Sequence, residues 1–150
     1  MLAVGDRLPE FALRDDQGAA LAHQDLCTGT VVLYFYPRDD APGCTKQACA
    51  FRDGRDAFAA QGVRVYGVSP DDVGSHQAFR DKFGLNFPLI ADPAHTLCEA
   101  FGVWGPQESH GHRFTGVART TFVLQEGLVT HVLPDVDVTG HVERVLALVF

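Results

Sequence analysis

Apolar residues fall along this chain in two alternating patterns. The run VVLYFYP (Val31 to Pro37) is continuously β-branched and aromatic, the pattern of a strand covered on both faces. VRVYGVS (Val63 to Ser69) and TTFVL (Thr120 to Leu124) repeat it. LVTHVL (Leu128 to Leu133) pairs with TTFVL across Gln125-Glu126-Gly127, a short hairpin connection containing glycine. FPLIAD (Phe87 to Asp92) is a shorter strand, and its Pro88 favours the strand's beginning. The intervening segments have helical spacing. From Gly43 to about Gln61, Ala48, Phe51 and Phe58 share one stripe and Gly62 is the stop. Asp71 to Phe83 is a second helix closed by Gly84, and His95 to Phe101 a short third. Near the C-terminus Val138, Val142, Val145, Leu146 and Val149 form one apolar face.

Strand, helix, strand, helix, strand and helix are thus followed by a hairpin and a last helix. That order predicts an α/β, thioredoxin-like fold, a central mixed β-sheet flanked by helices, with parallel strands first and an antiparallel hairpin last. At 150 residues the chain is read as one domain, 1–150, with no repeat or linker. The segment GPQESHGHRFTGVA (Gly105 to Ala118) reads as a long irregular connection, and loops of that length usually carry function.

Composition narrows the partners. The formal net charge is −7 and no basic stripe is present, which argues against nucleic acid and anionic membrane surfaces. No apolar run approaches the roughly 20 residues of a membrane span. The N-terminal residues lack the charged and apolar regions of a secretory signal, so a cytoplasmic location is expected. In that compartment four cysteines point to catalysis, redox sensing or core packing before structural disulfides.

Cys44 and Cys49 are five residues apart, too wide for C-x-x-C, and no second pair completes a zinc site. Cys44 follows a strand, a turn and Pro42-Gly43, which puts it in the first turn of a helix. Unpaired amides and the positive end of the helix dipole favour an anion there, and a thiolate is such an anion. Lys46 adds a nearby cation, whereas Asp39 and Asp40 oppose the effect. In an ideal helix a five-residue step separates the two Cα atoms by about 8.7 Å. A disulfide needs them within about 7 Å, so this pair bonds only if the first turns unwind. The blander reading, two cysteines in the core, stands beside it.

The stretch FYPRDDAPGCTKQACAFRD resembles the peroxiredoxins, in particular the peroxiredoxin Q or bacterioferritin-comigratory-protein type. VGDRLPEFAL, GVSPDD, FPLIAD and CEAFGVWG extend the likeness nearly end to end. The resemblance implies that Cys44 is the peroxidatic cysteine, Cys49 the resolving one, and Pro37 the proline shielding the thiolate pocket. It also implies that Arg119, in ARTTFVL, stands by the sulfur to polarise the peroxide. The expected activity is reduction of hydrogen peroxide and organic hydroperoxides, with Cys44 passing through a sulfenic acid to a Cys44–Cys49 disulfide. Thioredoxin or a similar dithiol would recycle it, with no metal, haem or nucleotide cofactor, in a protein expected to be a monomer. One position departs from the family pattern: Ala41 stands where the motif has threonine, so one hydroxyl donor is missing and weakened turnover is expected. Thr45 is the residue that could replace it.

Other residues carry less. Cys98, in HTLCEAFG, reads as core, and Cys27 as a loop-edge residue with a minor claim to an alternative resolving or intermolecular bond. His110-Gly111-His112 is a weak metal motif, better read as a solvated loop, and Trp104 as a packing aromatic flanking the site. A non-enzymatic peroxide sensor and a thiol–disulfide oxidoreductase on the same fold are the competing functions.

Overall fold

The structure, a computed structural model, describes residues 1–150. The strands are β1 (Ala12–Asp15), β2 (Ala20–Ala22), β3 (Thr30–Phe35), β4 (Val63–Ser69), β5 (Leu89–Ala91), β6 (Trp104–Ser109), β7 (His112–Val117), β8 (Thr120–Gln125) and β9 (Leu128–Leu133). The helices are α1 (Pro42–Ala60), α2 (Val73–Phe83), α3 (Thr96–Ala100) and α4 (His141–Val149). Seven strands form one mixed sheet in the order β2-β1-β5-β4-β3-β8-β9. Its centre, β5-β4-β3, is parallel, and β8 and β9 extend it antiparallel as the pattern predicts.

The continuous apolar run of β3 is explained by a core on each face. Val31, Leu33 and Phe35 enter one core, with Leu97 of α3 and Phe101. Val32, Tyr34 and Tyr36 enter the other, with Cys44, Ala48, Phe51 and Phe58 of α1, Phe79 of α2 and Val142 and Val145 of α4. Alternation along one strand therefore feeds two layers. The expected α1 stripe is the buried one, and Cys44 lies on it.

Several boundaries move for local reasons. Asp72 accepts a hydrogen bond from the Ser75 amide at 2.8 Å and caps α2, so that helix begins at Val73. The β8–β9 turn is only Glu126-Gly127, both with positive φ, the geometry of a two-residue hairpin turn. Val138 precedes α4 and is not part of its face.

The segment from Gly105 to Ala118 is not irregular. Trp104–Ser109 and His112–Val117 pair antiparallel as a separate two-stranded arm, turning at His110-Gly111. Its residues are mostly polar and exposed, so the arm has no alternating apolar face to mark it in the sequence. β1 and β2 were likewise hidden. They are short, and β1 is tied to the sheet through buried Asp16, which accepts from the Leu89 amide at 3.0 Å and from Arg80. No helix is long and apolar enough to cross a membrane.

Candidate active site

The site sits at the C-terminal end of β3, where the chain turns through residues 37–41 into α1. Ala41 is the N-cap of α1 but has no side chain with which to cap it. The first intrahelical bond is from the Thr45 amide to the Ala41 carbonyl, 2.8 Å. The amides of Gly43 and Cys44 have no acceptor in the chain and are left at the positive end of a helix of 19 residues.

Cys44 is buried, at 2 % exposure, with its sulfur on the sheet-facing side of α1. Arg119, just before β8, brings its guanidinium to this sulfur: Nη2 lies 3.3 Å from Cys44 Sγ. Nη1 of the same group donates to Gln47 Oε1 at 2.7 Å. Gln47, one turn beyond Cys44 and 1 % exposed, thus orients the arginine. The sequence reading missed it. Its signal was the i, i+3 spacing from Cys44, which places both on one helix face. Gly43 leaves the approach uncrowded, since a Cβ there would stand 3.3 Å from Arg119 Nη2 and push it back by a few tenths of an ångström.

A cleft of about 670 Å³ opens over this sulfur. Pro37, Ala41 and Gly43 line it with Cys44 and Arg119, and Trp104 and Phe114 of the β6–β7 arm join the lining. Trp104 is held by a parallel stack on His95, centroids 4.0 Å apart. Another cavity, lined by Phe58, Tyr66 and Phe87, lies at the opposite end of the parallel strands.

The other candidates separate. Cys49 is half-buried on α1, which is continuous through both cysteines, and all four cysteines are free. Lys46 is not the cation of the site, because its Nζ is turned to Thr139 Oγ1 at 3.0 Å. Asp39 and Asp40 do not face the sulfur unpaired. Asp39 bonds Tyr36, Ser75 and His76, and Asp40 pairs with Lys82 at 2.7 Å. Thr45 does not line the cleft, and its hydroxyl is buried without a partner. Cys27 lies before β3 and Cys44 after it, a strand length of roughly 20 Å, so the fold does not bring them together. Cys98, within α3, is fully buried in the core, where burial and the Asp92 carboxylate push its thiol strongly up and keep it protonated. His110 and His112 are exposed at the arm's turn.

Comparison with known proteins places the chain in a family. The AhpC/TSA family model matches residues 4–132. Peroxiredoxin Bcp of Bacillus subtilis is 38% identical over 97% of this chain and 93% of its own. The solved structure of a cysteine-to-serine mutant of Xylella fastidiosa PrxQ superposes with a TM-score of 0.91 at 31% identity, covering 98% of this chain and 94% of that one. A structure of the Xanthomonas campestris bacterioferritin comigratory protein, described in connection with alkyl peroxide reduction, gives 0.85 at 35% identity over 93% and 89%. With a buried thiol on a helix start under an arginine, in this fold and at these identities, the chain belongs to the AhpC/TSA family as a peroxiredoxin of the Bcp or peroxiredoxin Q kind, a thiol peroxidase.

Proposed function

We propose that Cys44 is the peroxidatic cysteine and Cys49 the resolving one, in a cycle that reduces hydrogen peroxide and organic hydroperoxides. The observation that carries this reading is the 3.3 Å approach of Arg119 Nη2 to Cys44 Sγ at the open end of α1. The thiolate attacks the terminal oxygen of the hydroperoxide. The O–O bond breaks, water or an alcohol leaves, and Cys44 becomes a sulfenic acid. The amides of Gly43 and Cys44 and the Arg119 guanidinium face the negative charge that develops on the oxygens. Pro37 closes one wall of the cleft and limits access of water to the sulfur.

Resolution requires motion. In an intact helix the two Cα atoms stand about 8.7 Å apart, so the first turns of α1 unwind before Cys49 condenses with the sulfenic acid and releases water. A dithiol protein, thioredoxin by its chemistry, then reduces the disulfide by exchange and restores both thiols. The cytoplasm supplies such a reductant. The cycle draws both of its cysteines from one chain, and a monomer is its working unit in this reading.

The test is peroxide-dependent NADPH oxidation through thioredoxin and its reductase. Cys44→Ser is expected to abolish turnover, Cys49→Ser to stall after about one turnover, and Ala41→Thr to raise the rate, by up to about 100-fold if the hydroxyl regains a donor role. Single-turnover oxidation without sustained cycling in the parent would favour a peroxide sensor, for which Ala41 is the observation. A parent no faster than Cys44→Ser would end the assignment of Cys44.

A further inference from the structure

Behind the active-site turn lies a set of buried and half-buried polar groups that the chemistry above does not use. Asp39, two residues after Pro37 and five before Cys44, is its centre. Tyr36 donates its hydroxyl to Asp39 Oδ1 at 2.6 Å, and Ser75 donates to Oδ2 at 2.7 Å. His76 Nδ1 lies 2.7 Å from the same Oδ2. The Asp39 amide donates to Asp71 Oδ2 at 2.7 Å, which also accepts from Ser69 Oγ at 2.8 Å. On the other edge of the ring, His76 Nε2 lies 3.0 Å from the Ile90 carbonyl oxygen, and His76 is 0 % exposed.

This geometry constrains where the protons are. A carbonyl oxygen only accepts, so Nε2 of His76 carries a hydrogen. Tyr36 remains a donor, because burial, then Tyr34 and Asp39, hold its phenol well above the ordinary tyrosine range. Asp39 therefore receives two O–H donors; the Tyr36 hydroxyl also lies 3.5 Å from Nδ1, but its hydrogen goes to Asp39, so one further proton lies between Asp39 Oδ2 and His76 Nδ1. Carried on Nδ1, that proton makes the ring an imidazolium and Asp39 a carboxylate. A second carboxylate, Asp71, has an oxygen within 4.8 Å of the same group, so two acids surround one base.

A buried ion pair is a poor source of stability but an effective way to hold one geometry. The turn it holds needs holding: Asp40 has φ 62°, in the left-handed region that non-glycine residues avoid. We infer that His76 is a buried cation that acts as a positioning residue for the reaction: through Asp39 it fixes the turn that presents Pro37 and the Gly43 and Cys44 amides to the peroxide. The inference rests on Cys44 being the nucleophile.

The experiment has two arms on the full-length reduced protein. Heteronuclear NMR of the imidazoles near neutral pH is expected to show one ring with both nitrogens protonated, its signals absent in His76→Gln. The second arm follows Cys44 oxidation by peroxide through Trp104 fluorescence, and Cys44 alkylation by iodoacetamide through mass spectrometry. His76→Gln and Asp39→Asn should each slow oxidation roughly ten- to a hundredfold, the scale of a misplaced reacting group. Alkylation, which needs the thiolate but no peroxide aligned against the turn, should change less than about threefold. The double variant should be no slower than the slower single one. A neutral His76 ring overturns the inference, as do unchanged oxidation or oxidation and alkylation falling together. Should His76→Gln fail to fold, the parent spectrum and the isosteric Asp39→Asn still decide. If the parent does not react with peroxide faster than Cys44→Ser, the role of Cys44 fails, while the imidazole spectrum still reports the charge on His76.

Discussion

Arg119 makes two contacts that a different cation would not reproduce. Its planar fork reaches Cys44 Sγ with one amino group and Gln47 Oε1 with the other. A lysine keeps the charge but offers a single point donor on a flexible stem. Arg119→Lys is therefore expected to lower the second-order rate of Cys44 oxidation by about 100-fold, measured by stopped flow, with thermal stability nearly unchanged. Equal rates in the two proteins would show that charge alone is sufficient. The residue scale is also where the sequence misled. Lys46 is nearer to Cys44 in the chain than Arg119, yet it points to Thr139. Sequence distance does not report side-chain direction, and only the packing of β8 beside β3 brings position 119 to position 44.

At the scale of elements, the site depends on how closely β3, β4 and β5 approach. Gly67 of β4 is in register with Tyr34 of β3 and Leu89 of β5. A Cβ at this position would stand 2.9 Å from the Tyr34 ring and hydroxyl and 2.9 Å from Leu89 Cδ2. Tyr34 in turn stacks on Phe51 of α1, centroids 4.5 Å apart, so it cannot move without moving the helix that carries Cys44. Gly67→Ala should destabilise the protein by about 1–3 kcal/mol through overpacking, seen as a lower midpoint in urea. An unchanged midpoint would mean that the sheet has room to relax. The elements themselves were largely legible. β3, β4, β8, β9, α1 and α2 follow from apolar runs, periodicity and the stops at Gly62 and Gly84. The β6–β7 arm was not, because its pairing rests on backbone bonds between mostly polar, exposed residues.

For the molecule as a whole, one buried base links folding to pH. His141, at the start of α4, is 1 % exposed and lies 2.9 Å from Thr121 Oγ1. Burial, then the nearby Arg144 and Arg119 charges, lowers its pKa from 6.5 to about 4. Above about pH 6.5 the group is neutral in both folded and unfolded chains and adds no pH dependence. Between about 6.5 and 4 the unfolded chain takes up a proton that the folded one does not, so stability falls as pH falls. The loss from this residue is at most about 3 kcal/mol. Urea titrations across that range should show the slope in the parent and a shallower one in His141→Gln, and identical slopes would remove His141 as its cause.

The sequence by itself determined the α/β order of elements, the stripe of α1 that faces the sheet, and the place of Cys44 at a helix start, because these follow from local periodicity and chain direction. The resemblance of its motifs to a known family supplied Arg119. Tertiary structure alone decided that Gln47 orients the arginine, that Phe114 of the β6–β7 arm joins Trp104 at the cleft, and that Asp39 is bound by His76 from a separate helix. Each is a contact between side chains that the fold brings together through packing and hydrogen bonding, and no periodicity along the chain records such a meeting.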